Sequence, residues 1–118
     1  MQLARLKQFA LSLPQTTFVK QWGECLVCKV AGKMFFLIAL DGKLIDVVIF
    51  KCRPEEFAEL TEIDSITQAP YCAKRMWVRV GDLSVLSEKE LQARIRRSYD
   101  LVIAKLPKKT QAQLGQLQ

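Results

Sequence analysis

Apolar positions open the chain at helical spacing. Leu3, Leu6, Phe9 and Ala10 recur every three or four residues, and Pro14 stops the run just after Leu13. The spacing then changes. Thr16 to Lys20 is rich in β-formers, Trp22-Gly23 breaks the run, and Cys25 to Val30 resumes it. Ala31-Gly32-Lys33 leads into Met34–Leu40, and Asp41-Gly42-Lys43 leads from there into Leu44–Phe50. Asp-Gly between two β-rich runs is a hairpin signal, because both central positions of a type I′ turn take positive φ. These segments predict an antiparallel meander.

A second helix is predicted from Pro54, whose fixed φ suits a first helical turn, with Glu55 and Glu56 complementing the positive end of the helix dipole. Phe57, Leu60 and Ile63 would face inward. Thr67 to Arg75 contains Pro70 and reads as irregular, while Met76 to Val80 reads as one further strand ending at Gly81-Asp82. The clearest element follows. Ser87-Glu88-Lys89-Glu90 has the spacing of a capping box, in which Ser87 and Glu90 satisfy each other's backbone amides. Leu91, Ile95, Tyr99, Val102, Ile103 and Leu106 then form one stripe, and Pro107 ends or kinks the helix. Arg97 lies opposite that stripe, Arg94 well outside it and Arg96 on its flank, so the outer face should carry cations. A short helix from Lys108 is allowed, and the uncharged tail Gln111–Gln118 is expected to fray.

The predicted fold is α+β, a two-layer sandwich of an antiparallel sheet with helices. We find no repeat, linker or second domain, so residues 1–118 are expected to form a single domain. Met34, Phe36, Ile38 and Leu40 should share one face of their strand, and Phe35, Leu37 and Ala39 the other. Both faces are apolar, whereas a sheet with helices on one side should alternate. The second face is therefore either covered or kept for a partner, and Phe35 and Leu37 would carry a protein contact or a homodimer.

Length and composition add bounds. A chain of 118 residues, half apolar and a quarter charged, suits a globular domain that hides roughly two-thirds of its unfolded surface. The longest apolar stretch, Met34 to Leu40, is far short of the ~20 residues that cross a bilayer. Arg5 and Lys7 interrupt the first segment, which is no secretion signal. Cys25, Cys28, Cys52 and Cys72 then read as reduced thiols of a cytoplasmic protein rather than a disulfide framework. The net charge of +6 is uneven: Lys74 to Lys109 holds ten basic residues against four acidic ones. Such an excess favours anionic partners such as nucleic acid, though it also occurs on proteins that are merely soluble.

Candidate chemistry is sparse. With no histidine, the commonest general base, metal ligand and nucleophile activator is missing, and no phosphate-binding glycine loop or nucleophile elbow is present. The sequence points to a binding module rather than an enzyme, with no cofactor. Cys25 and Cys28 have the C-x-x-C spacing of zinc and redox sites, but in a strand an odd separation puts the sulfurs on opposite faces. Glu55, Glu56, Glu59, Glu62 and Asp64 read as a solvated acidic face. Trp77 lies among Lys74, Arg75 and Arg79. An aromatic between cations suits phosphate contact with base stacking, and equally a core Trp whose neighbours reach solvent from the other face.

Taken end to end, the chain resembles the MmcQ/YjbR family of small bacterial proteins. The match lies in Trp22-Gly23, in Gly32-Lys33-Met34-Phe35, in Lys51 with Pro54 before an acidic helix, in Lys74 and Trp77 of the segment Tyr71 to Trp77, in Ser98-Tyr99 and in Leu106-Pro107. Their order and spacing cover almost the whole length. Where the family pattern usually has a histidine before the tryptophan, this chain has Met76. The resemblance implies a CyaY-like (frataxin-like) sandwich and a customary description as DNA-binding. The functional expectation is thus a basic module that binds duplex DNA through phosphate contacts, with Lys74, Arg75, Arg79, Arg94 and Arg97 gripping the backbone and Trp77 stacking. The alternative is the adaptor or homodimer built on Phe35 and Leu37. A third reading borrows metal handling from the frataxin likeness, through Glu55, Glu56 and Glu59.

Overall fold

The computed structural model describes residues 3–21, 23–69 and 76–116. Four helices and six strands follow in the order α1 (Leu3–Leu11), β1 (Thr16–Gln21), β2 (Cys25–Val30), β3 (Lys33–Asp41), β4 (Leu44–Lys51), α2 (Pro54–Leu60), β5 (Ile66–Gln68), β6 (Trp77–Val80), α3 (Glu88–Ile103) and α4 (Lys108–Gln116). A 3₁₀ turn at Leu83–Val85 leads into α3. The strands form one antiparallel sheet in the order β1-β2-β3-β4-β6-β5. The meander is therefore built from neighbours in sequence, and β6 enters between β4 and the short edge strand β5. The fold is α+β, and β5 runs into the segment from Thr67 that the sequence reads as irregular.

One face of the sheet is core. Cys28, Phe36, Phe50 and Val78 form one row across β2, β3, β4 and β6, and Ile38, Val48, Val80 and Ile66 form the next. All are buried together with Leu6 and Ala10 of α1, Leu60 of α2, Leu91, Ile95, Tyr99 and Val102 of α3, and Leu114 of α4. The stripe predicted on α3 is the stripe that packs. Ser87 caps that helix by accepting the Glu90 N–H at 3.1 Å. The Glu90 carboxylate turns instead toward Arg94, so only half of the capping box forms. Leu114 is 2% exposed, which corrects the expectation of a frayed tail from Gln111: α4 docks as far as its buried leucine.

The hairpins differ from expectation in a specific way. Between β2 and β3, both turn residues have positive φ, Ala31 at 49° and Gly32 at 80°, so the type I′ conformation falls here. Between β3 and β4, Asp41 pairs with Leu44, leaving Gly42 and Lys43 at the centre. Only Gly42 is left-handed, at 63°, which is the φ pattern of a type II′ turn. The Asp-Gly dipeptide marks the hairpin, and the turn sits one residue later.

Strict alternation along β3 fails at Phe35. Cys28 pairs with Phe36, but the next residue of β2, Lys29, pairs with Met34. Phe35 is thus the extra residue of a β-bulge, which lets two consecutive side chains face the same way. Phe35 and Phe36 are both fully buried, their ring centroids 5.1 Å apart, and Phe35 meets Tyr99 of α3 edge-on at 5.4 Å. Phe35 belongs to the helix-covered core, not to the second face. On that second face Leu37 is 7% exposed and Val27 fully buried. The exposed apolar sheet face expected around Phe35 and Leu37 is therefore corrected to interior. Among the described residues, no helix is long and apolar enough to cross a membrane.

Candidate functional site

The densest polar arrangement lies where α2 meets α3. Arg53 stands just before α2 in extended conformation, and Pro54 opens the helix. Glu56, three residues into the turn, reaches back to accept the Arg53 N–H at 3.4 Å through Oε1. Its other oxygen, Oε2, accepts Nη1 of Arg94 at 2.6 Å and Nη1 of Arg97 at 2.9 Å. Arg94 and Arg97 are three residues apart on α3 and so emerge on one side of it. Arg94 also approaches Glu90 at 3.5 Å.

Burial sorts these groups. The side chains of Glu56 and Arg94 are only 9% and 10% exposed, whereas Arg97 is 52% exposed. Burial alone would raise the Glu56 pKa. Hydrogen bonds from Arg97, Arg94 and the Arg53 amide outweigh it, and the carboxyl sits below its ordinary value. Glu56 is therefore an anion at neutral pH and a fixed acceptor rather than a proton donor. The cluster joins α2 to α3, and it leaves one guanidinium half in solvent with further N–H groups available.

Beside it, Ser98 is completely buried. Its hydroxyl accepts the Lys51 N–H at 2.9 Å and donates to the Phe35 carbonyl, so α3 is latched to β4 and to β3 at its bulged residue. Cys52, also buried, has its thiol pushed up to about 11 by burial and the nearby Glu56, partly offset by Arg94. Burial pushes Cys28 up to about 12. Cys25 pairs with Ala39 and Cys28 with Phe36, on opposite sheet faces, and the thiols of Cys25, Cys28 and Cys52 are free. Cys72 lies outside the described residues. No three His, Cys, Asp or Glu side chains among the described residues come together to hold a metal ion. Glu55 and Glu59 are exposed as expected for a solvated face, but Glu56 is not: it turns inward because two arginines of α3 meet it there.

Of the expected phosphate-gripping residues that the structure describes, Arg79 lies on a different side of the sheet from Arg94 and Arg97 of α3. Trp77 pairs with Lys51, and Arg79 with Ile49 and Thr67. Both side chains leave β6 on the face opposite Val78 and Val80, away from the layer that contains α3. Trp77 is 8% exposed, so little of its ring is open for a base to stack on. Arg94 is corrected from an outward cation to a buried partner of Glu56, while Arg97 remains at the surface. Lys74 and Arg75 lie outside the described residues. Sequence reasoning missed Glu56 as the anchor, although an acidic residue three positions after a helix start and two arginines three apart on another helix were both visible. It also passed over Lys105, Lys108 and Lys109, which are exposed and follow Asp100, the last Asp or Glu of the sequence.

Comparison with known proteins agrees with this architecture. A crystal structure of a Deinococcus radiodurans protein carrying the family-model domain DUF419 is 26% identical and superposes with a TM-score of 0.85, over 97% of this chain and 88% of that one. A Pseudomonas syringae protein, 22% identical, shares the fold at a TM-score of 0.68, over 86% of this chain and 98% of its own. A comparison with curated proteins finds no match. The YjbR family model matches residues 11–101, so the chain belongs to the YjbR family.

Proposed function

We propose that this protein is a binding module, not an enzyme, that holds duplex DNA through its phosphates along the outer side of α3 and the segment that leads into α4. The supporting observation is a set of exposed cations on and after α3: Arg97, Lys105, Lys108 and Lys109 are all solvent-facing, Glu56 holds Arg97 from one side only, the exposed Asp100 among them pairs with Arg96, and no Asp or Glu follows it. Phosphate contacts of this kind set affinity and orientation without reading bases. The absence of histidine from the whole chain argues in the same direction, since it removes the usual acid–base and nucleophile-activating group.

Net charge alone gives some retention on DNA at low salt, so the test must separate a site from overall charge. Fluorescence anisotropy with a duplex of about 20 base pairs, from ~25 mM salt upward, should give a linear fall of log affinity with log salt, at about 0.9 per neutralised phosphate. Replacing Lys105, Lys108 and Lys109 by Ala should flatten that slope by about three. The equal charge change made at Lys20, Lys33 and Lys43, which are exposed elsewhere, should leave it nearly unchanged. Lack of binding at the lowest salt, or equal effects of the two triple variants, would overturn the reading.

A further inference from the structure

Glu56 does something to Arg97 that charge counting alone would miss. A surface arginine ordinarily samples many rotamers and loses that freedom when it grips an anion. Here one end of the guanidinium is already held, Nη1 at 2.9 Å from Glu56 Oε2. The same oxygen is fixed by the nearly buried Arg94 at 2.6 Å, and the other oxygen by the Arg53 amide. Arg97 nevertheless keeps 52% of its side chain in solvent. Five N–H donors in a rigid fork cannot all be spent on one shared oxygen. The outcome is a guanidinium anchored at one Nη1, whose remaining donors make no other hydrogen bond or ion pair among the described residues and can meet an acceptor with two oxygens.

We propose that Glu56 is a positioning residue: through Arg97 it presents a pre-ordered donor pair to a phosphate group, so a buried negative charge raises affinity for a negatively charged ligand. The inference rests on the phosphate-binding reading above. It predicts an effect opposite in sign to simple electrostatics. Glu56→Gln makes the protein more positive by one charge, and if Glu56 merely neutralised its arginines the variant would bind duplex DNA more tightly, with an unchanged or steeper salt slope. Positioning requires the reverse, an affinity at least about threefold weaker, the size of one phosphate contact over a fourfold salt range, and a slope smaller by about one.

A double-variant cycle on the full chain decides whether the effect travels through Arg97. In an Arg97→Ala background, Glu56→Gln should no longer weaken binding and should strengthen it slightly through its added charge. Continued weakening there would mean that Glu56 acts through the fold, and the proposal would fall. Circular dichroism establishes whether Glu56→Gln is folded. If it is not, Arg97→Lys carries the test, keeping the charge but losing the fork: about threefold weaker binding supports the proposal, and undiminished binding overturns it. Wild-type protein that shows no binding at low salt removes the phosphate reading itself, whereas wild-type binding with a tighter Glu56→Gln variant removes the positioning role alone.

Discussion

Glu56 carries opposite obligations. Its side chain is 9% exposed, a costly place for a charge, and its hydrogen bonds to Arg97, Arg94 and the Arg53 amide hold its pKa below the ordinary value. A carboxyl whose folded pKa is depressed contributes stability that is fully present above its unfolded pKa, and the contribution is lost as pH falls through the folded value. Urea unfolding midpoints of the wild type should therefore decline as pH drops below about 4.3, the usual glutamate value. The Glu56→Gln variant, about 3 kcal/mol less stable at pH 7 because Arg94 would keep a largely buried charge with only its 3.5 Å approach to Glu90, should decline less over the same interval. Parallel pH profiles for the two proteins would show that Glu56 does not contribute to the acid sensitivity. The sequence offers Glu56 only as the acidic residue three positions after the helix start; what sets its burial is the approach of two arginines about forty positions later, a pairing that no local signal specifies.

The bulge in β3 shows the same limit for an element. Seven consecutive apolar residues, Met34 to Leu40, defeat alternation as a guide, because period-two reasoning assigns faces only while pairing advances one residue at a time. A single extra residue moves Phe35 to the helix side, where Tyr99 packs on its ring and Ser98 takes its carbonyl. Strand existence, the hairpins, the start of α2 and the buried stripe of α3 were all legible, because turn chemistry, the α2 proline, the Ser87 cap and 3.6-residue periodicity are local signals. Pairing irregularities and the short β5 were not, since they are decided by neighbours far away in the chain. The bulge makes Phe35 a discriminating position. Phe35→Asp should abolish folding, since burying an unpaired carboxylate and losing a core aromatic together cost more than about 5 kcal/mol, comparable to the whole stability of a small domain. Circular dichroism and sedimentation should show an unfolded chain. A folded variant with altered mass in solution would instead restore Phe35 to an interaction surface.

The core outlines a larger unit than the stretch that the family model matches. The family model covers residues 11–101, yet Leu6 and Ala10 of α1 are fully buried before it, and Val102 and Leu114 are 8% and 2% exposed after it. All four join the cluster that includes Phe36, Phe50 and Tyr99. The flanking helices are therefore integral to the second layer. Their importance follows from area: burying a Leu or Val side chain is worth about 1.5–3 kcal/mol, so losing three of them and an alanine removes several kcal/mol from a total of about 5–15. Trimming also deletes the Gln111 side chain, whose amide donates to the Leu106 carbonyl at 2.8 Å and closes the loop behind α3. A chain cut to residues 11–101 should thus be largely unfolded at room temperature, or should unfold at a much lower urea concentration with a broadened transition. The full chain should instead unfold in one step, with tryptophan fluorescence and far-ultraviolet circular dichroism changing together. A trimmed chain that kept the full-length midpoint would place the flanking helices outside the cooperative unit.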